Sequence, residues 1–412
     1  MEARVGDIIT TYEDVIPISR GNGLEIQCVE CGEEVLSQES DMVKGISTIP
    51  NGLDDYAEFG FFRIHYNAST KADTTFITSL GAAFQAAETS LVGGLSFNRP
   101  TGYNEDTKYD IYVTADSNPQ DSTNSATCWR TVTEDGVRKS WIVFYKINDL
   151  SVEPTLFQKG TAAHEYMHAI THTYRNNGEL PLWFKEAWAN WAAVRVQGIA
   201  SRNVNSVNEY LSNTYVGFRA DENEYGKFLL PLYIGQNYGG DATVANVVKN
   251  LATTADVDFA ISNALPSGVT FQSIFPSFMG YNYSPKYFYS THADGWSRRP
   301  FISASYPMNG YPNNAYGGNI NSYAAHYREF TVPLTAPYHL DITIRLLNNN
   351  GSLSGKLHMN GSGEMATGWN FSTGSSLVTY STTIGISYVK GGMSITNTGS
   401  SPTSYHITIA RS

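Results

Sequence analysis

His164-Glu165-Tyr166-Met167-His168-Ala169-Ile170-Thr171-His172, followed after a short break by Leu182-Trp183-Phe184-Lys185-Glu186-Ala187-Trp188-Ala189-Asn190, is the stretch that organises the chain. On a helix, positions four apart share a face and lie about 6 Å apart along the axis. His164 and His168 can therefore close on one metal ion, at roughly 2.0 to 2.1 Å. Glu165 is turned about 100° from His164. It flanks the ion, where a carboxylate can take a proton from a metal-bound water.

The spacing of Ala163, Met167, Ile170 and Tyr174 predicts a helix over 155–175 with an apolar stripe away from the ligands. Asn177-Gly178 supplies residues that tolerate the left-handed region and end it. A catalytic zinc takes three protein ligands and keeps one position open. His172 would stand about 12 Å along the axis from His164, too far for one ion. The elongated pattern, with a third His ten residues after the first, fails because position 174 is Tyr. Glu186 is the better third ligand. Pro181 suits the start of a second helix, on which Trp183, Ala187, Trp191 and Val194 form an apolar stripe while Glu186 and Asn190 sit one turn apart on another face. A buried carboxylate among aromatics is costly without a partner, and a metal ion would be that partner.

These residues resemble the gluzincin, or thermolysin-like, zinc metallopeptidases, in which a helical His-Glu-x-x-His is followed by a Glu ligand on a second helix. Here His168 and Glu186 are eighteen residues apart. The resemblance implies His164, His168 and Glu186 as ligands to Zn²⁺, with Glu165 as base and proton shuttle. Where the family pattern has an Asp that orients a ligating imidazole, this chain has Asn190, whose amide oxygen still accepts a hydrogen bond. The implied fold is α+β: a zincin-like unit of mixed sheet, active-site helix and helical lower half, followed here by a C-terminal β-sandwich. Across the cleft, Tyr225 is the first candidate for an oxyanion donor and His292 the second. Zincin-type peptidases dock an extended substrate on an exposed edge strand, a role that falls to Ser140–Lys146, with a central position in the sheet as the alternative. The exopeptidase motif of the aminopeptidase branch is absent, so the implied activity is endopeptidase hydrolysis of a peptide or protein substrate. The alternative is a catalytically silent scaffold that acts as a surface or protein-binding module.

The chain has 412 residues and a net charge of −11. Its longest basic cluster is Arg298-Arg299, too little for a phosphate backbone, so nucleic acid is excluded as a partner. No apolar run is long enough to span a membrane. Few lysines, 27 tyrosines and abundant Asn, Ser, Thr and Gly give the composition of an exported protein. No apolar leader follows Met1, and a secreted or extracellular protein in mature or trimmed form is expected. Cys28 and Cys31 are expected to form a local disulfide loop, with Cys128 distant.

Residues 1–55 read as a small β unit or pro-region remnant, and 56–280 as the metallopeptidase domain. Within it, Phe61–Tyr66 and Tyr109–Val113 read as strands and Thr74–Leu91 as an amphipathic helix. His65 reads as a satisfied strand histidine. Further helices are expected at 241–252 and 255–264, with Pro231 kinking the helix that precedes them. The acidic run Asp221-Glu222-x-Glu224 is a solvated face, with Ca²⁺ as the alternative. Residues 281–322, dense in Tyr, Pro, Asn and Gly, read as a bridging loop. From 323 to 412 short alternating segments such as Leu340–Leu346 and Tyr405–Ile409 predict the β-sandwich, which would bind substrate or a cell surface. A monomer is expected.

Overall fold

A computed structural model of the chain describes residues 49–67, 74–104, 107–118, 125–132, 136–174, 180–198, 204–220, 222–283, 302–307, 314–331, 338–347, 352–360, 365–373, 377–384 and 390–411. The expected turn at Asn177-Gly178, the Cys28 and Cys31 pair, Asp221 and His292 lie outside them. The architecture is mixed α and β. Its first sheet comprises β1 (Asp55–Phe59), β2 (Phe62–Tyr66), β3 (Thr101–Gly102), β4 (Tyr109–Val113), β5 (Ala126–Val132) and β6 (Arg138–Phe144). β1 pairs antiparallel with β2, β2 and β4 run parallel, β4 and β3 run parallel to β6, and β5 pairs antiparallel with β6.

Strand alternation divides the side chains between two layers. Phe62, Ile64, Tyr109, Ile111, Ile142 and Phe144 enter the main core with α1 (Thr75–Glu88) and α2 (Leu156–Tyr174). Tyr112, Trp129, Trp141, Val143 and Tyr145 form a second cluster, against which Ile49 and Leu53 pack. His65 sits among the polar residues of that second face, its Nε2 2.8 Å from buried Asp110 and its ring stacked on Tyr112. It has the partner expected of a strand histidine.

Ser140–Lys146 is not an edge. β6 holds Ser140 to Phe144 between β3 and β4 on one side and β5 on the other, whereas β5, like β1 at the far end of the sheet, has a single neighbour among the described residues. The continuous apolar run Trp141-Ile142-Val143-Phe144 suits a strand covered on both faces. It was therefore the wrong run to place at a rim.

The helical half contains α3 (Leu182–Gln197), α4 (Val204–Ser212), α5 (Leu229–Asn237), α6 (Asp241–Asn250), α7 (Val257–Ala264) and α8 (Phe271–Tyr283). Pro231 is the third residue of α5. The first turn has no intrahelical acceptor to lose, so a proline there does not break the ladder as it would further in. α8, which reaches Tyr283 with Pro276 inside it, was not foreseen.

The stretch 281–322 is more than loop: it includes β7 (Ile302–Pro307) and β8 (Asn314–Ile320). With β9 (Ala324–Thr331), β10 (Tyr338–Leu346), β11 (Leu353–Asn360), β12 (Met365–Thr373), β13 (Leu377–Ile384), β14 (Lys390–Asn397) and β15 (Thr403–Arg411) these form two sheets, ordered β13-β10-β15-β8 and β12-β11-β14-β9-β7. This C-terminal part shares the main core. Tyr323, Ala325 and Tyr327 belong to it, Tyr327 Oη donates to the Met279 carbonyl at 2.8 Å, and the Tyr283 ring lies over Gly392.

Candidate metal centre

α2 is started by a reciprocal cap. Thr155 N donates to Gln158 Oε1 at 2.8 Å, and Gln158 N donates to Thr155 Oγ1 at 3.2 Å, which satisfies two amides that the first turn leaves over. The helix then runs buried on every side from Gly160 to His172. α3 is also enclosed, from Trp183 to Val194. Its Trp188 donates to the Val244 carbonyl at 3.1 Å and stacks on Phe184. Two helices covered all round hold their side chains in fixed rotamers, so the facing polar groups meet with little freedom.

Where they meet, His164, His168 and Glu186 each bring a ligand atom within 4.8 Å of the others. His164 Nε2 is 3.1 Å from His168 Nε2 and 3.2 Å from Glu186 Oε2, and His168 Nε2 is 3.5 Å from Glu186 Oε1. The imidazole planes cross at 78°. Relative exposure is 1 % for His164, 3 % for His168 and 0 % for Glu186. Burial pushes the Glu186 carboxyl up, and His168 and His164 outweigh it, holding the group well below the usual carboxylate range. Two imidazole lone pairs converging on a buried anion form a donor set for a cation. The group can hold a metal ion, and among the described residues it is the sole cluster of three His, Cys, Asp or Glu that can.

Glu165 is fully buried one residue along. Tyr145, just past β6, is close enough to feel its charge: burial pushes the Tyr145 phenol up, a hydrogen bond from Trp129 Nε1 at 2.9 Å offsets part of this, and Glu165 adds to the rise. Asn190 takes the position behind His164, with Oδ1 2.8 Å from His164 Nδ1. Its Nδ2 donates to the Tyr225 carbonyl at 2.9 Å. Tyr225 belongs to a short 3-10 turn, Glu224–Phe228, and its ring centroid is 6.4 Å from that of His164. His172 is buried and outside the ligand group, as the axial rise along α2 requires. Tyr145 and the Asn190 bond to a main-chain carbonyl were not foreseen. The first depends on sheet packing, and the second uses an acceptor that every residue carries.

No protein family matches the chain, and no curated protein does. Among solved structures, the pre-peptidase C-terminal domain of a collagenase from Bacillus anthracis is similar at 14% identity, over 27% of this chain and 99% of that one, with a TM-score of 0.22. A mitogen derived from Yersinia pseudotuberculosis is similar at 13% identity, over 24% and 85%, with a TM-score of 0.20. A family GH115 4-O-methyl-α-glucuronidase is similar at 9% identity over 61% of this chain and 39% of its own, with a TM-score of 0.18. Likenesses at these scores say nothing about the fold or activity of this chain.

Proposed function

We propose that this chain is a zinc-dependent peptidase of gluzincin type, an exported endopeptidase with a zincin-like unit that ends with α8 and a β-sandwich built from β7 to β15. The observation that carries the reading is the convergence of His164, His168 and Glu186 within 4.8 Å beside buried Glu165. Two imidazoles and one carboxylate are a donor set that suits zinc and leaves a coordination position open. When bound there, zinc supplies Lewis acidity toward a carbonyl and brings the pKa of water to near 7.

The remaining work falls to the chain. Glu165 takes a proton from the attacking water as its oxygen adds to the scissile carbonyl carbon, then delivers that proton to the nitrogen as the C–N bond breaks. Burial among aromatic side chains keeps bulk water from competing for the proton. Asn190 fixes the His164 ring, and Tyr225, whose ring centroid lies 6.4 Å from that ring, is the candidate donor to the oxyanion. β5, antiparallel and paired on one side only among the described residues, takes the substrate-docking role first assigned to β6, since an extended peptide can add to its open side.

Metal content and casein hydrolysis, measured together on the unsubstituted protein and Glu165→Gln, test the reading. One zinc per chain in both, with cleavage only in the unsubstituted protein, is the expected result. Zinc in both with cleavage in neither would favour the silent binding scaffold, and no zinc in either would remove the metal centre altogether.

A further inference from the structure

Asn190 lies one turn beyond Glu186 on α3 and is 3 % exposed. Its two amide atoms face different elements: Nδ2 is 2.9 Å from the Tyr225 carbonyl oxygen and Oδ1 is 2.8 Å from His164 Nδ1. A main-chain carbonyl can only accept, so the amide must present its NH₂ to Tyr225 and its oxygen to His164. That oxygen also can only accept. His164 Nδ1 must therefore carry the hydrogen, and in the neutral ring the Nε2 lone pair is directed at His168 and Glu186. The tautomer needed for metal binding is thus chosen by the backbone of a neighbouring turn.

The turn is fixed from its far side as well. A Cβ at Gly226 would run into the Ser206 carbonyl oxygen and Tyr210 Cβ, so the glycine lets the turn lie directly on α4. Asn223, which precedes the turn, takes the left-handed conformation at φ 57°, a region asparagine tolerates. Lys227 Nζ donates to the Ala220 carbonyl. Held this way, the turn is tied to the metal centre through Asn190.

We propose that Asn190, besides accepting from the ligating imidazole as the resemblance implies, has a second and simultaneous duty as a positioning residue: it fixes the Tyr225 turn against the metal centre. The proposal rests on the metal-centre reading and extends it to the helical half of the molecule. It explains why a carboxamide stands here. A carboxylate would be the stronger acceptor for His164, but it would set two lone-pair-bearing oxygens against each other at the Tyr225 carbonyl. The two duties therefore separate in Asn190→Asp.

The test compares the full chain with Asn190→Asp, Asn190→Ala and Asn190→Ser. Zinc affinity is read by competition with a chromogenic chelator, and hydrogen exchange is read on the amides of residues 224–228 in the zinc-loaded and metal-free proteins. Asn190→Asp should keep zinc affinity within about threefold while exchange in the turn accelerates by about tenfold. Asn190→Ala should lose roughly 10- to 100-fold in affinity and show the same acceleration. Asn190→Ser, whose hydroxyl reaches one partner at a time, should lie between them and serves if the aspartate variant does not fold. Unchanged exchange of the turn in the folded variants, or an affinity loss in Asn190→Asp as large as in Asn190→Ala, would overturn the proposal. Neither readout uses peptide cleavage. A protein that binds zinc and shows the coupling but leaves casein intact would refute the peptidase reading alone.

Discussion

Glu186 Oε2 lies 3.2 Å from His164 Nε2, and neither residue has more than 1 % of its surface in contact with solvent. A carboxylate in that setting has lost its hydration and gained two imidazoles, an exchange that is completed when a cation sits between them. Metal loading should therefore stabilise the fold strongly.

At free zinc about a thousandfold above Kd, chelator-stripped protein should gain about 4 kcal/mol in denaturant unfolding. Glu186→Gln preserves the shape and removes the charge, and should gain only a small part of this. An equal response in the two proteins would exclude Glu186 as a ligand.

His326 gives a pH dependence of opposite origin. Arg328 donates to Tyr405 Oη at 3.2 Å, and that hydroxyl stands 2.8 Å from His326 Nδ1. Burial, with Arg328 adding to it, pushes the imidazole down to about 4 from an ordinary value of 6.5. The unfolded chain thus binds the proton more readily, so this contribution is intact above the unfolded pKa and is lost as pH falls from 6.5 toward 4. Between about pH 7.5 and pH 5 the loss should be about 2 kcal/mol. His326→Gln should flatten urea-derived stability over the same interval, and an unchanged slope would exclude His326 as its source.

Gly392 allows β14 to approach α8. A Cβ there would meet the Tyr283 hydroxyl and ring, so Gly392→Ala should destabilise the protein by about 1 to 3 kcal/mol through overpacking. Zinc affinity should stay unchanged, because the contact is remote from α2 and α3. A stability indistinguishable from the unsubstituted protein would mean that Tyr283 yields freely.

Cys128 is 3 % exposed on β5 and faces the main core. Its alkylation, followed by peptide-resolved mass spectrometry, should be at least about 100-fold slower in the folded protein than in denaturant, since the thiol becomes reachable only through opening of the sheet. Labelling at the denatured rate under native conditions would show β5 to be frayed.

Much of this arrangement can be read in the residues. Tyr109–Val113 is β4 to the residue, α2 begins and ends within one position of the expected 155–175, and the cluster of His164, His168 and Glu186 that can hold a metal ion follows from helical spacing plus the cost of burying Glu186. These are local rules. Ala126-Thr127-Cys128-Trp129-Arg130-Thr131-Val132 is a strand the sequence reading does not include, and its place at the rim is a property of the whole sheet. Tyr306-Pro307 looked like turn chemistry, yet Pro307 closes β7, a strand at the end of its sheet where one side needs no donor. The Asn190 bond to the Tyr225 carbonyl has no residue-type signature at all.

The union of α8 with the C-terminal sheets has an evolutionary reading. Phe218 N donates to the Tyr323 carbonyl at 2.7 Å, Ala325 N donates to the Thr214 carbonyl at 2.9 Å, and Phe271 stacks on Tyr323. Main-chain bonds and shared aromatic packing of this kind cannot be exchanged one partner at a time. Recombination that grafts these sheets onto another helical unit, or swaps them for a different module, would have to carry α8 and the 214–218 segment along. The two portions are bound to be inherited together.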